Sequence, residues 1–306
     1  MKKTNSLKVK KIGLVIKHHQ PEAATFAAQI SEFILSRGVQ IYFADESALL
    51  AKDISRSLKA SKKNIQIVKK TELVDCCDLI VVLGGDGTYL SIARLMKNRS
   101  VPVMGINMGQ LGFLTEIKRE EALGALQSIF DGVLPVINER ALLEVTLIRK
   151  NKVIFQGPVV NDAVISKGAI ARIIGMQVWV NDQWVHNVRA DGLIVSTTTG
   201  STAYALAAGG PIIEPSVPAL VVAPICPHSL TLRPLVIPDS SLVKICLSHR
   251  PGHVLLTLDG QDVVDMKEDD IVLVRRFKKH SLKLISSPSR DYFSLLREKL
   301  KFGARD

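Results

Sequence analysis

The segment Leu79-Ile80-Val81-Val82-Leu83-Gly84-Gly85-Asp86-Gly87-Thr88 constrains this chain more than any other. A short continuous apolar run that ends in glycines describes a strand buried on both faces, as in a parallel sheet covered by helices. The glycines let the backbone bend and come close to a ligand. A helical pattern resumes from Tyr89 to Met96, so a helix start, with its unpaired N–H groups and partial positive charge, lies beside the turn. Such a turn at the carboxyl edge of an α/β sheet is suited to phosphate, with Gly84, Gly85, Gly87 and Thr88 as its frame. Asp86 is the odd member. A carboxylate repels phosphate unless it accepts a proton from an attacking hydroxyl or helps hold a metal ion. The plainer alternative is an Asp that caps the next helix.

The flanking pattern supports the sheet. Lys11 to Ile16 is a strand, Pro21 stands at a first helical position, and Phe26, Ile30, Phe33 and Ile34 recur at helical spacing before Arg37-Gly38. Strands at Val39 to Phe43 and Val101 to Ile106 and a helix from Glu120 to Phe130 continue the alternation, which predicts an α/β domain with a Rossmann-like parallel sheet over residues 1–139. From about Asn138 the texture turns to β. Strands are expected at Leu142 to Ile148, Val153 to Phe155, Val159 to Ser166, Arg172 to Val180, Leu193 to Thr197, Leu242 to Leu247, Val254 to Leu258 and Ile271 to Val274. Lys150-Asn151 and Asn181-Asp182 read as hairpin turns, and Ser201 to Ala208 is the one helix candidate. This predicts a mainly β domain over 140–286. Phe293, Leu296 and Leu300 predict a tail helix within 287–306 that packs back on the first domain.

Composition narrows the setting. With 47% hydrophobic and 23% charged residues, 306 residues can bury a sizeable core without staples. The net charge of +11 favours anionic partners, but the basic clusters lack the interleaved aromatics of a base-stacking surface, so neither nucleic acid nor membrane is expected. Cys76, Cys77, Cys226 and Cys246 form no metal-binding spacing and read as reduced thiols. No apolar run approaches the roughly 18 residues of a membrane span, and Ile12 to Ile16 is too short for a signal-peptide core. A cytoplasmic protein is expected. The chain has neither a P-loop nor a Gly-x-Gly-x-x-Gly after its first strand, which disfavours the common NTPases and dehydrogenases.

The second half carries a longer signature, Asp191-Gly192-Leu193-Ile194-Val195-Ser196-Thr197-Thr198-Thr199-Gly200-Ser201-Thr202-Ala203-Tyr204, followed by Gly209-Gly210-Pro211. A strand ends in a hydroxyl-rich loop and opens a helix. The hydroxyls can cap that helix or bind a polar ligand, and Tyr204 offers a flat face. A well-capped helix with a core tyrosine is the alternative. Around it stand Gly105-Ile106-Asn107, Leu111-Gly112-Phe113-Leu114-Thr115, Asn161-Asp162, Pro224-Ile225-Cys226-Pro227-His228 with Arg233-Pro234, and Asp259-Gly260-Gln261.

The Gly-Gly-Asp-Gly turn resembles the superfamily of NAD kinases, diacylglycerol and sphingosine kinases and phosphofructokinases. The motifs from Ile80 to Gln261, in this order, resemble the NAD kinases. The resemblance implies phosphorylation of the adenosine 2′-hydroxyl of NAD, bound between two domains, with Asp86 activating the hydroxyl and Gly87 against the dinucleotide. It implies dinucleotide contacts at Asn161, Asp162, Arg172, Arg189, Asp191, Thr202, Ala203, Tyr204, Ala205, Leu206, Ala207 and Gln261, with His228 a weaker candidate. It further implies ATP or polyphosphate as donor, a divalent ion such as Mg²⁺ carried on the donor phosphates rather than by a protein site, and a homo-oligomer, dimer or tetramer. Asn161-Asp162 and Asp259-Gly260 could instead be simple turns. A lipid or sugar kinase, or a sensor that binds NAD(P) without turnover, remain the alternatives. Two positions depart from the family pattern: Asp162 stands where Glu is common, and Thr198 where Pro is common.

Overall fold

The computed structural model describes residues 7–17, 21–61, 63–168, 173–247 and 252–301. In chain order the first elements are β1 (Lys11–Ile16), α1 (Pro21–Ser36), β2 (Gln40–Ala44), α2 (Ala48–Ser57), β3 (Ile65–Val68), α3 (Lys70–Cys76), β4 (Leu79–Gly84), α4 (Asp86–Ala93), β5 (Val103–Asn107), β6 (Ile117–Lys118), α5 (Arg119–Phe130) and β7 (Ile137–Arg140). There follow β8 (Leu143–Arg149), β9 (Lys152–Val159), β10 (Asp162–Lys167), β11 (Ile174–Val180), β12 (Gln183–Ala190), β13 (Gly192–Thr197), α6 (Tyr204–Ala207), β14 (Ala219–Ile225), β15 (Leu235–Pro238), β16 (Val243–Leu247), β17 (Val254–Leu258), β18 (Asp262–Met266), β19 (Ile271–Arg276), β20 (Leu282–Ile285) and α7 (Tyr292–Leu300). Contacts divide the chain into residues 1–139 with 282–306, and residues 140–281.

In the first unit the sheet runs β3-β2-β1-β4-β5-β20-β7, with β6 on β5. β1 pairs in parallel with both β2 and β4, and β4 with β5. The order reverses direction between β1 and β4, and open α/β sheets place ligands at the carboxyl ends of strands at such a switch. β4 is buried along its whole length, as its unbroken apolar run requires. α1 buries Ala23, Phe26, Ala27, Ile30 and Ile34, a helical stripe that packs on Leu14, Ile41, Phe43 and Val81. The helix expected from Tyr89 begins earlier, at Asp86, so the carboxylate belongs to the first helical turn itself. β20 lay within the stretch expected to be β domain. It pairs in parallel with β5 and joins the first unit's sheet between β5 and β7 instead. α7 starts on Asp291, whose carboxylate accepts from Ser294 N at 2.7 Å, and Glu298 pairs with Lys118 at 2.8 Å.

The second unit holds two antiparallel sheets, ordered β15-β14-β13-β10-β17-β18 and β12-β11-β16-β19-β8-β9. Alternate residues of each strand, among them Leu143, Val145 and Leu147 on β8 and Val254, Leu256 and Leu258 on β17, fill the core. Lys150 and Asn151 both have positive φ, as do Asn181 and Asp182, the left-handed pairs that two-residue hairpins need. The run expected from Val159 to Ser166 is broken at Val160-Asn161. The expected helix 201–208 divides into a 3₁₀ turn at Gly200–Thr202 and the short α6. All four cysteines are free.

Candidate active site

Asp86 lies two residues past the end of β4, at the edge where the sheet order reverses. Gly84 is packed under the helix start, since a Cβ there would sit 2.6 Å from Thr88 Oγ1. Among the described residues, a Cβ at Gly85 or Gly87 would meet nothing within 4 Å. Thr88 and Tyr89 donate their N–H groups to Gly85 O.

The Asp86 carboxylate makes no helix cap. It turns to the segment Leu111–Thr115 instead. Oδ2 accepts from Phe113 N at 2.8 Å. Oδ1 accepts from Leu114 N at 3.1 Å, Thr115 N at 3.0 Å and Thr115 Oγ1 at 3.0 Å. Two glycines permit this. A Cβ on Gly112 would overlap Asp86 Oδ1, and one on Gly105 would lie 2.5 Å from Leu114 O. Asn107 braces the loop: Oδ1 accepts from Gly109 N at 2.8 Å, while Nδ2 donates to Gln110 O and, at 3.3 Å, to Thr115 Oγ1. Sequence reasoning found Asp86 and saw these motifs but gave no task to Asn107, Gly112 or Thr115. The cue was the glycine at 112, whose need shows only when the loop meets Asp86.

In the second unit, Asn161, Asp162, Ala203 and Tyr204 line one cavity of about 370 Å³, together with Asp259 and Thr257. Asp259 organises it. Its Oδ1 accepts from Asn161 N at 2.7 Å and Asp162 N at 3.3 Å, and its Oδ2 from Val160 N at 2.9 Å. This capture of three successive N–H groups is why the expected strand breaks before Asp162. Asp162 is itself buried, and its pKa is pushed up to about 7, by loss of solvent first and by the charge of Asp259 second. Tyr204 remains 47% exposed, so its ring is available at the cavity wall.

Apart from Thr199, whose buried Oγ1 has no hydrogen-bond partner among the described residues, the hydroxyls of the loop are occupied with its own folding. Thr197 Oγ1 donates to Val160 O at 2.7 Å and accepts from Gly200 N at 3.0 Å. Ser196, Thr198, Ser201 and Thr202 likewise donate to backbone carbonyls. A Cβ on Gly200 would run into Asn161 O, so the glycine lets the loop lie against the Asn161 turn. Among the other expected contacts, Ala205 is wholly buried in the core beside Val164, Ile194 and Val221. Leu206 is half-buried and Ala207 exposed. Asp191 is ion-paired to Lys167 at 2.7 Å. Arg189 is exposed on β12, and His228 N donates to its carbonyl at 2.9 Å. Gln261 closes the β17–β18 turn through its N–H to Leu258 O. Arg172 lies outside the described residues. Among the described residues no group of three or more His, Cys, Asp or Glu side chains could hold a metal ion, and no helix is long and apolar enough to cross a membrane.

Comparison with known proteins bears on this geometry. Residues 12–134 match the sequence profile of the ATP-NAD kinase N-terminal domain, and residues 160–287 that of the ATP-NAD kinase C-terminal domain. An NAD kinase of Geotalea daltonii is 43% identical, over 97% of this chain and 100% of its own. One from Neisseria gonorrhoeae is 40% identical, over 95% and 96%. The crystal structure of yeast NADH kinase complexed with NADH superposes with a TM-score of 0.88 at 25% identity, covering 97% of this chain and 89% of that one. An Archaeoglobus fulgidus NAD kinase in complex with ATP shares the fold, with a TM-score of 0.69 at 22% identity over 94% and 99%.

Proposed function

The chain belongs to the NAD kinase family and phosphorylates NAD to NADP, and on that premise we propose that Asp86 is the base that takes the proton from the adenosine 2′-hydroxyl. The carrying observation is the carboxylate's setting: it sits at the sheet's switch point, and four donors fix its position. A held base of this kind contributes about 10²–10⁴-fold. The turn from Gly84 to Thr88 and the start of α4 receive phosphate oxygens.

The cavity at Asn161, Asp162, Ala203 and Tyr204 is the proposed dinucleotide subsite of the second unit. The Asn161 amide and Asp162 carboxyl suit hydroxyl and ring-edge groups, and Tyr204 offers a stacking face. Arg189, Asp191, Thr202, Ala207 and Gln261 stand as further contacts in the same reading. ATP is the proposed donor, with polyphosphate an alternative to be measured. The divalent ion of this reading is Mg²⁺, which takes most of its ligands from the donor phosphates and water. When bound, such an ion neutralises charge on the transferred group. Homo-oligomeric assembly and a cytoplasmic setting complete the proposal, the latter supported by four unpaired thiols.

The test is NADP formation by the purified protein with NAD, ATP and Mg²⁺, repeated with NADH as acceptor and polyphosphate as donor. Turnover of NAD is expected. NADP at background, or faster phosphorylation of diacylglycerol or fructose 6-phosphate, would overturn the reading.

A further inference from the structure

The proposed base has two oxygens in unequal surroundings. Among the described residues, Oδ1 of Asp86 receives three hydrogen bonds and Oδ2 one. A carboxylate oxygen offers about two lone-pair sites, so Oδ1 is saturated and Oδ2 keeps a site free.

The direction of the side-chain bond to Oδ1 is fixed by its neighbours. Asn107 Oδ1 accepts from Gly109 N at 2.8 Å, which sets the amide so that Nδ2 faces Gln110 O and Thr115 Oγ1. An amide nitrogen only donates. Thr115 Oγ1 must therefore accept from Asn107 at 3.3 Å, and its one proton is released to Asp86 Oδ1 at 3.0 Å. Thr115 is wholly buried and Asn107 nearly so, so no solvent competes for these bonds.

We infer that Asn107 and Thr115 form a one-way hydrogen-bond relay that saturates Oδ1 and leaves Oδ2 as the atom that takes the substrate proton, which makes Thr115 a positioning residue for phosphoryl transfer. In that step the hydroxyl O–H bond breaks as Oδ2–H forms. The hydroxyl oxygen bonds to the terminal phosphorus of the nucleoside triphosphate, and the nucleoside diphosphate leaves with the electron pair of the broken P–O bond. The inference rests on the base role of Asp86 proposed above.

Thr115→Val keeps the shape and deletes the donor. Loss of a hydrogen bond to a charged group predicts a fall in kcat of roughly tenfold or more, with KM for NAD unchanged to within about twofold. Thr115→Ser keeps the hydroxyl and should recover most of the lost rate. If Thr115→Val does not fold by circular dichroism, Thr115→Cys, a weak donor, takes its place with the same expected loss. A wild-type kcat in the variant that lacks the hydroxyl, or a Ser variant as slow as Val, would overturn the relay. Asp86→Asn run alongside separates the two claims. If it turns over at the full rate, the base assignment fails. If it is inactive while Thr115→Val is unimpaired, the relay alone fails.

Discussion

The α/β unit surrounds Asp86 with four hydrogen-bond donors, three of them backbone N–H groups. The β unit spends a comparable set of N–H groups, those of Val160, Asn161 and Asp162, on Asp259, and leaves the Asp162 carboxyl buried beside it. One aspartate is thus held in place by donors, and the other is starved of water next to a like charge. The same side chain is suited to two tasks by its surroundings: a base in a fixed position, and a binding group whose charge varies near neutral pH.

The contrast breaks most readily at Gly112. Gly112→Ala puts a Cβ where Asp86 Oδ1 lies, so the carboxylate must move, and a displacement of about 1 Å predicts a loss of kcat on the order of 100-fold. Circular dichroism should show a retained fold; turnover near wild type would mean that the clamp is unimportant. Next in size is Asp259→Ala, which strands three N–H groups, those of Val160 and Asp162 buried and that of Asn161 half-buried. A cost of about 3 kcal/mol in urea unfolding is expected, with a raised KM for NAD as the Asn161 turn loosens.

A smaller effect follows from Asp162, whose carboxyl is pushed up to about 7 by burial and the charge of Asp259. Its folded value lies above the unfolded one, so the native state holds the proton more tightly. The stability of the protein relative to Asp162→Asn should therefore fall as pH rises from about 4 to about 7 and level off above, at about 1.4 kcal/mol for each unit of displacement. Paired melting curves at pH 5 and pH 8 measure it; a difference independent of pH would place Asp162 in ordinary surroundings. The smallest change is Thr198→Ala, which removes the bond to Pro215 O and should cost about 1 kcal/mol with little effect on kcat.

Local features of this molecule were legible in its residues. The apolar run before Gly84 gave a fully buried strand, and Lys150-Asn151 and Asn181-Asp182 gave left-handed hairpin turns, because each is decided within a few residues. Asn161, Asp162, Ala203 and Tyr204, named from the motifs, do come together in one cavity. Properties that depend on distant partners were hidden. Nothing near Asp86 says that its donors come from Phe113 to Thr115, and nothing near Val160 says that Asp259 will capture its N–H. The run Leu282–Ile285 is too short to reveal which sheet it joins. The hydroxyls of Thr197 and Thr198 looked free for a ligand because the carbonyls that accept from them, Val160 O and Pro215 O, are remote in sequence.

The division of labour between the two aspartates is tested most directly by steady-state kinetics of Asp86→Asn and Asp162→Asn in one assay, with NAD varied at saturating ATP and Mg²⁺. Asp86→Asn should lose about 100-fold or more in kcat with KM for NAD little changed, and Asp162→Asn should change KM while kcat stays within a few-fold of wild type. A full kcat in Asp86→Asn, or a collapse of kcat confined to Asp162→Asn, would contradict the account.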